Sequence, residues 1–152
     1  MARRWKLKKI IVVFTLVMLF VSFGCVKVER TEIFEIKDCL LLDPINLLDG
    51  RIDLLLRPIF QYSNSSGETI PIQESWKIVC EPSGEVLSFQ IEDSHTLIPT
   101  AGEVLTEEAK FSVRCLLPKE TEFIVVKGTF IAIYPLERLT AQLQEKKFPV
   151  TF

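Results

Sequence analysis

The chain has one histidine, His95, and six glycines among its 152 residues. A Ser-His-Asp triad would have to use His95, and the chain contains no Gly-x-Ser-x-Gly elbow to present a nucleophile beside it. As a metal ligand His95 has two acids nearby and no second imidazole. Its setting, Glu92-Asp93-Ser94-His95, reads as a polar loop after a strand, because loops collect such residues. Six scattered glycines cannot build a phosphate-cradling loop. Cys-x-x-Cys is absent too, which removes the commonest zinc spacing. Repeats of fixed period and Gly/Ser-rich linkers are missing, so one domain is expected at this length. No cofactor and no metal is expected.

Acids are lacking in one place only. Residues 1–26 hold five bases (Arg3, Arg4, Lys6, Lys8, Lys9) and no acid, leaving 13 basic against 20 acidic residues in the remainder. The formal net charge of −2 therefore averages a cationic leader and an acidic body near −7. Body bases are scattered and outnumbered, so a nucleic-acid footprint is excluded.

Behind the basic residues, Ile10 to Phe23 is apolar except for Thr15 and Ser22. Fourteen residues match the h-region of an export signal, and counting on to Val26 reaches the short edge of a membrane span. Upstream bases keep this end in the cytoplasm and send the body out. Val21-Ser22-Phe23-Gly24-Cys25 resembles a bacterial lipoprotein signal, in which a small residue precedes the lipidated cysteine. That resemblance implies lipidation at Cys25. Ser22 and Phe23 depart from the usual Leu-(Ala/Ser), so an uncleaved anchor and ordinary cleavage stay open. Arg3-Arg4-Trp5-Lys6-Leu7-Lys8 is similar to a twin-arginine signal, but Lys6 stands where an apolar residue is usual. The expected division is 1–24 signal or anchor helix, 25–32 tether and 33–152 the folded domain.

The body reads as strands. Trp76, Ile78 and Cys80 share one face of an alternating run, Pro82-Ser83-Gly84-Glu85 is turn chemistry, and alternation resumes with Leu87, Phe89 and Ile91 inward. This predicts a hairpin. Phe111, Val113 and Cys115 alternate likewise, and Phe123–Tyr134 suits a central strand. Ile52–Tyr62 is another run, in which Pro58 argues for an edge or a bulge. Phe34 and Ile36 alternate with Glu35 and Lys37, Asp49-Gly50 marks a turn, and residues 148–152 read as a last short strand. Residues 136–147 fit helical spacing and alternation alike; a hairpin with the preceding run favours strand. The fold class expected is all-β, a single antiparallel sandwich of immunoglobulin-like type after the hydrophobic leader.

Without Cys25, three cysteines remain. Cys80 and Cys115 each close a buried strand face, and either an inter-sheet disulfide in an oxidising compartment or two small buried hydrophobes would explain them. The dense acids Glu107-Glu108 and Glu120-Thr121-Glu122 would need to face each other across a cleft to act as a glycosidase pair, and read instead as solvated turns. Asn64-Ser65-Ser66 has the form of a glycosylation sequon, with a plain polar turn as the alternative. No catalytic residue is assigned.

From Leu40 onward, four stretches follow one order: Leu54–Asn64, Thr69-Ile70-Pro71-Ile72, Leu97-Ile98-Pro99-Thr100-Ala101-Gly102-Glu103, and Lys127-Gly128-Thr129-Phe130. The order resembles the water-stress and hypersensitive-response (WHy) domain of the late-embryogenesis-abundant class, with Ser63-Asn64-Ser65 where the family has Asn-Pro-Asn. That resemblance implies a non-enzymatic sandwich with a stress-protective role. The sequence thus predicts an exported protein held at the bacterial membrane, on its periplasmic or outer side, and presenting a binding or structural sandwich to an envelope protein partner. A desiccation- or osmotic-stress module is the second reading. A small ligand carrier or enzyme is the third, and it requires a deep pocket with converging polar groups.

Overall fold

The computed structural model describes residues 31–151, of which those from Glu32 onward belong to one compact unit. The signal, Cys25 and most of the tether lie outside the described residues. Among those described, no helix is long and apolar enough to cross a membrane. The structure is all-β, built of two antiparallel sheets.

Ten strands follow in order: β1 (Phe34–Leu41), β2 (Ile45–Asn46), β3 (Ile52–Tyr62), β4 (Ile70–Glu81), β5 (Phe89–Ile91), β6 (Thr96–Leu97), β7 (Leu105–Glu108), β8 (Phe111–Cys115), β9 (Phe123–Ile133) and β10 (Arg138–Pro149). One sheet runs β1-β3-β8-β5, with β2 and β7 also paired to β3; the other runs β10-β9-β4-β6. Period-2 alternation puts Leu54, Leu56, Phe60, Phe111 and Val113 of the first sheet, and Ile72, Trp76, Ile78, Val126 and Phe130 of the second, into a shared core. Aromatic rings join the layers edge to face, Phe60 against Phe130 at 5.1 Å and Trp76 against Phe111 at 5.8 Å between centroids, while Trp76 also meets Phe130 of its own sheet at 4.9 Å.

The alternating runs become strands, and of residues 136–147 all from Arg138 onward are strand, hairpinned to β9 as expected, while Leu136 and Glu137 belong to the turn. A bulge between Leu143 and Lys146 switches the inward set of β10 from Leu139, Ala141 and Leu143 to Lys146, Phe148 and Val150. Phe148-Pro149 is therefore the end of β10 and not a separate strand.

One expectation is corrected and another is met in one of its two alternatives. The hairpin after β4 is only begun: Cys80 donates its N–H to Glu85 O and Leu87 to Ile78 O, but β5 then pairs with β8 in the opposite sheet. Leu87 is the pivot, since its burial holds the crossover while Phe89 and Ile91 complete the other layer. Pro58 lies inside β3, the central strand of its sheet, so the edge alternative fails, but the register of β1 shifts between Ile36 and Asp38, a bulge opposite Phe60 and Ile59 next to the proline. It is tolerated because the partner ladder breaks opposite it, where β7 and β8 flank Ala109-Lys110 and pair β3 in one continuous register. Ala109 still donates to Pro58 O at 3.0 Å, so only the proline's missing donor is lost.

Register fixes what lies at each end. Phe34 and Leu105 pair with Tyr62, while Asn46 and Cys115 pair with Ile52. Where the chain comes in at Glu32 and Ile33, the 63–69, 98–104 and 134–137 loops gather. The opposite end carries residues 42–51, 82–88 and 116–122.

Candidate functional site

Four places carry chemistry, and each is assembled from several elements. The first centres on Glu107 of β7. Tyr62 of β3 donates its O–H to Glu107 Oε2 at 2.8 Å, and His95 Nε2 lies 3.3 Å from Glu107 Oε1, within ion-pair distance but off the hydrogen-bonding direction. The His95 ring packs on Phe111 at 6.3 Å between centroids, and its backbone carbonyl accepts from Ile72 N–H. His95 is thus no free loop residue: it is half-buried and bridges the two sheets through its backbone and ring. Burial, then the neighbouring Glu107 carboxylate, push the Tyr62 hydroxyl up to about 12, so it remains a donor at any ordinary pH. Glu107 is occupied by this donor, and the cluster holds the β5–β6 segment against β7. Sequence spacing gave no hint of it, because positions 62, 95 and 107 come from separate elements.

The second place is the set of thiols. Cys39, Cys80 and Cys115 are free and buried. Cys80 on β4 and Cys115 on β8 face the core from opposite sheets. Burial is the main cause raising both thiols, Cys115 to about 11 with a further push from Cys80. Burial likewise lifts Cys39 to about 12. As free thiols all three are protonated and unreactive at neutral pH.

Asn64 is the third. It is fully buried and joins its own 63–69 loop to the segment from Leu97 to Thr100. Its Nδ2 donates to Glu68 O at 2.7 Å and Leu97 O at 3.4 Å, its Oδ1 accepts from Ser66 N–H and Oγ–H, and its own N–H donates to Thr100 Oγ1 at 2.8 Å. The sequon's amide is therefore spent on backbone carbonyls, and the polar-turn reading describes it.

Fourth are the surface clefts. A groove of about 320 Å³ crosses the outer face of the four-stranded sheet, lined by Ser75, Lys77, Lys127, Thr129, Gln142 and Gln144 among others. Lys77 lies directly opposite Lys127, whose ammonium is held by Glu145 at 2.8 Å. A cleft of about 390 Å³ opens at the far end, between Pro82-Ser83 and Pro118-Lys119-Glu120. Of the dense acids, Glu107 and Glu108 go to Tyr62, His95 and Arg57, while Glu120 lines this cleft. No group of three or more His, Cys, Asp or Glu able to hold a metal occurs among the described residues.

No family model matches the chain, and no curated protein does. Solved structures similar to it include a FixG-related protein from Vibrio parahaemolyticus (12% identity, TM-score 0.42, covering 81% of this chain and 99% of that one). A protein from Archaeoglobus fulgidus is similar at 12% identity and TM-score 0.43, over 77% of this chain and 98% of the other. The structural genomics target SoR45 matches at 13% and 0.42, over 78% and 86%. At this level of likeness they bear on neither activity nor partners.

Proposed function

We propose that this is a non-enzymatic envelope lipoprotein: an immunoglobulin-like sandwich exported from the cell, tethered to the bacterial membrane through Cys25, and used to bind another envelope protein. The observation that carries the reading is the leader, five bases and an apolar run ending in Gly24-Cys25, placed seven residues before a domain held at its first residues. The hold is specific. Ser63 Oγ–H donates to Glu32 Oε2 at 2.7 Å, Ile33 N–H to Ser63 Oγ at 2.9 Å, and Ser63 N–H to Ile33 O at 2.9 Å, while Tyr134 O–H donates to Ser63 O at 2.8 Å. A tether ending in such a clamp transmits its attachment to the whole domain. The polar clusters described above serve packing, which agrees with a binding role.

The positions behind the WHy resemblance, Asn64 and Gly128, are explained by loop anchoring and core packing, and so support a sandwich without assigning it a stress role. Metabolic labelling with a palmitate analogue tests the proposal. Label is expected on the wild type and absent from Cys25→Ala; an unlabelled wild type, or label that survives the substitution, overturns it.

A further inference from the structure

The end of the sandwich opposite Glu32 has the features of an interface. The β4–β5 turn and the β8–β9 loop lie side by side there, joined by Glu122 N–H to Glu81 O at 2.9 Å. Both are stiffened from within. Gly84 N–H donates to Cys80 O at 2.7 Å, and Thr121 donates to Pro118 O from its backbone at 3.1 Å and from its hydroxyl at 2.8 Å. Between them lies the 390 Å³ cleft with Pro82 and Pro118 in its walls. Two apolar side chains are exposed on the same two segments, Val86 at 55% and Leu116 at 64% exposure. Single exposed apolar residues are ordinary on a surface, whereas a braced cleft walled by two prolines, with further apolar side chains exposed on the segments that form it, marks a contact site.

Charge selects the occupant. On the same two segments Glu85, Glu120 and Glu122 are exposed, with Lys119 as the single base among them. A second copy meeting the cleft across a two-fold axis would bring like-charged rims together, and an anionic lipid surface would be repelled in the same way. We propose that this cleft docks a partner protein through an apolar side chain flanked by lysine or arginine. This rests on the binding role proposed above and gives it a place and a partner chemistry. Pre-formed loops keep the ordering cost of docking low.

The test uses the full chain, isotope-labelled in detergent micelles. The probe is a short peptide with leucine between lysines, and its glutamate-flanked counterpart is the control. Saturable NMR shifts are expected at amides 82–86 and 116–122 with the lysine peptide, weakening as salt rises. Binding at least tenfold weaker is expected for the glutamate peptide, and for the lysine peptide against Glu85→Lys/Glu120→Lys. Leu116→Asp is expected to abolish the shifts, with an unchanged spectrum elsewhere showing that it folds. Absent shifts, equal shifts with both peptides, or shifts confined to other surfaces overturn the proposal. The titration does not depend on lipidation, so failure of the Cys25 label and failure of the cleft are read separately.

Discussion

Two buried residues, Gly128 and Asn64, show how tightly single positions constrain this fold. Gly128 sits on the inward face of β9, where a Cβ would lie 2.9 Å from Phe130 Cε2 and 3.3 Å from Trp76 Cε3. Phe130 cannot give way, since Phe60, Phe111 and Trp76 surround its ring. Gly128→Ala is therefore expected to cost about 1–3 kcal/mol by overpacking, seen as a lower urea midpoint at unchanged m. Asn64 depends on hydrogen bonds rather than volume. Asn64→Ala leaves Glu68 O and the Ser66 donors without it, and a loss of about 2–3 kcal/mol is expected. Asn64→Asp keeps the acceptor for Ser66 but turns a carboxylate toward two carbonyls. Its stability is expected to fall further as pH rises above the carboxyl range, and urea melts at pH 4 and pH 7 would measure the difference.

Among the strands, β4 has an unfinished edge. On the side away from β9 it pairs with β6 at Ile70-Pro71 and with residues 85–87 near Ile78–Cys80, so the backbone of Glu74 and Trp76 lies between the two contacts. Glu74 belongs to the inward set of β4 and is half-buried, and desolvation holds its carboxyl above the usual range. An inward charge at an open edge discourages another strand from pairing there, at some expense of stability. The sign follows from linkage: a carboxyl raised in the folded state favours folding when protonated, so its penalty appears as pH rises through the folded pKa. Glu74→Gln is expected to stabilise by a few tenths of a kcal/mol at pH 7, the scale of most surface changes, with the gain vanishing near pH 4. Concentration-dependent association should accompany it, read by sedimentation. The strand faces themselves were legible in the sequence, because a half-buried sheet must alternate. The partner of each strand was not: Phe89 and Ile91 alternate identically whether they pair with β4 or β8, and only the burial of Leu87 turns the chain across. The Tyr62–Glu107–His95 cluster was hidden for the same reason, since pairing brings it together rather than spacing.

At the scale of the whole molecule, the attachment proposed at Cys25 and the clamp together limit distances. From Cys25 to Thr31 there are seven residues, at most about 25 Å of extended chain, and Glu32 is the first residue held by the domain. Leu136 is almost fully exposed in the turn between β9 and β10, at the clamped end, where Tyr134 bonds Ser63 and Ile33. Leu48 is fully exposed at the other end, beyond the eleven residues of β3, which at about 3.3 Å each add roughly 35 Å. Because Cys39, Cys80 and Cys115 are buried, a dye can be directed to Leu136→Cys or Leu48→Cys with little background. With Cys25 lipidated in vesicles carrying acceptor lipids, energy transfer is expected to be strong from position 136 and several-fold weaker from 48, and Cys25→Ala should abolish both. Loosening the clamp by Ser63→Ala removes the shared acceptor of Ile33 N–H and the donor to Glu32, and is expected to narrow the difference between the two positions. Equal transfer from both positions with the clamp intact would mean that the domain lies along the membrane, which would bring the acidic far end and its cleft against lipid rather than a protein partner.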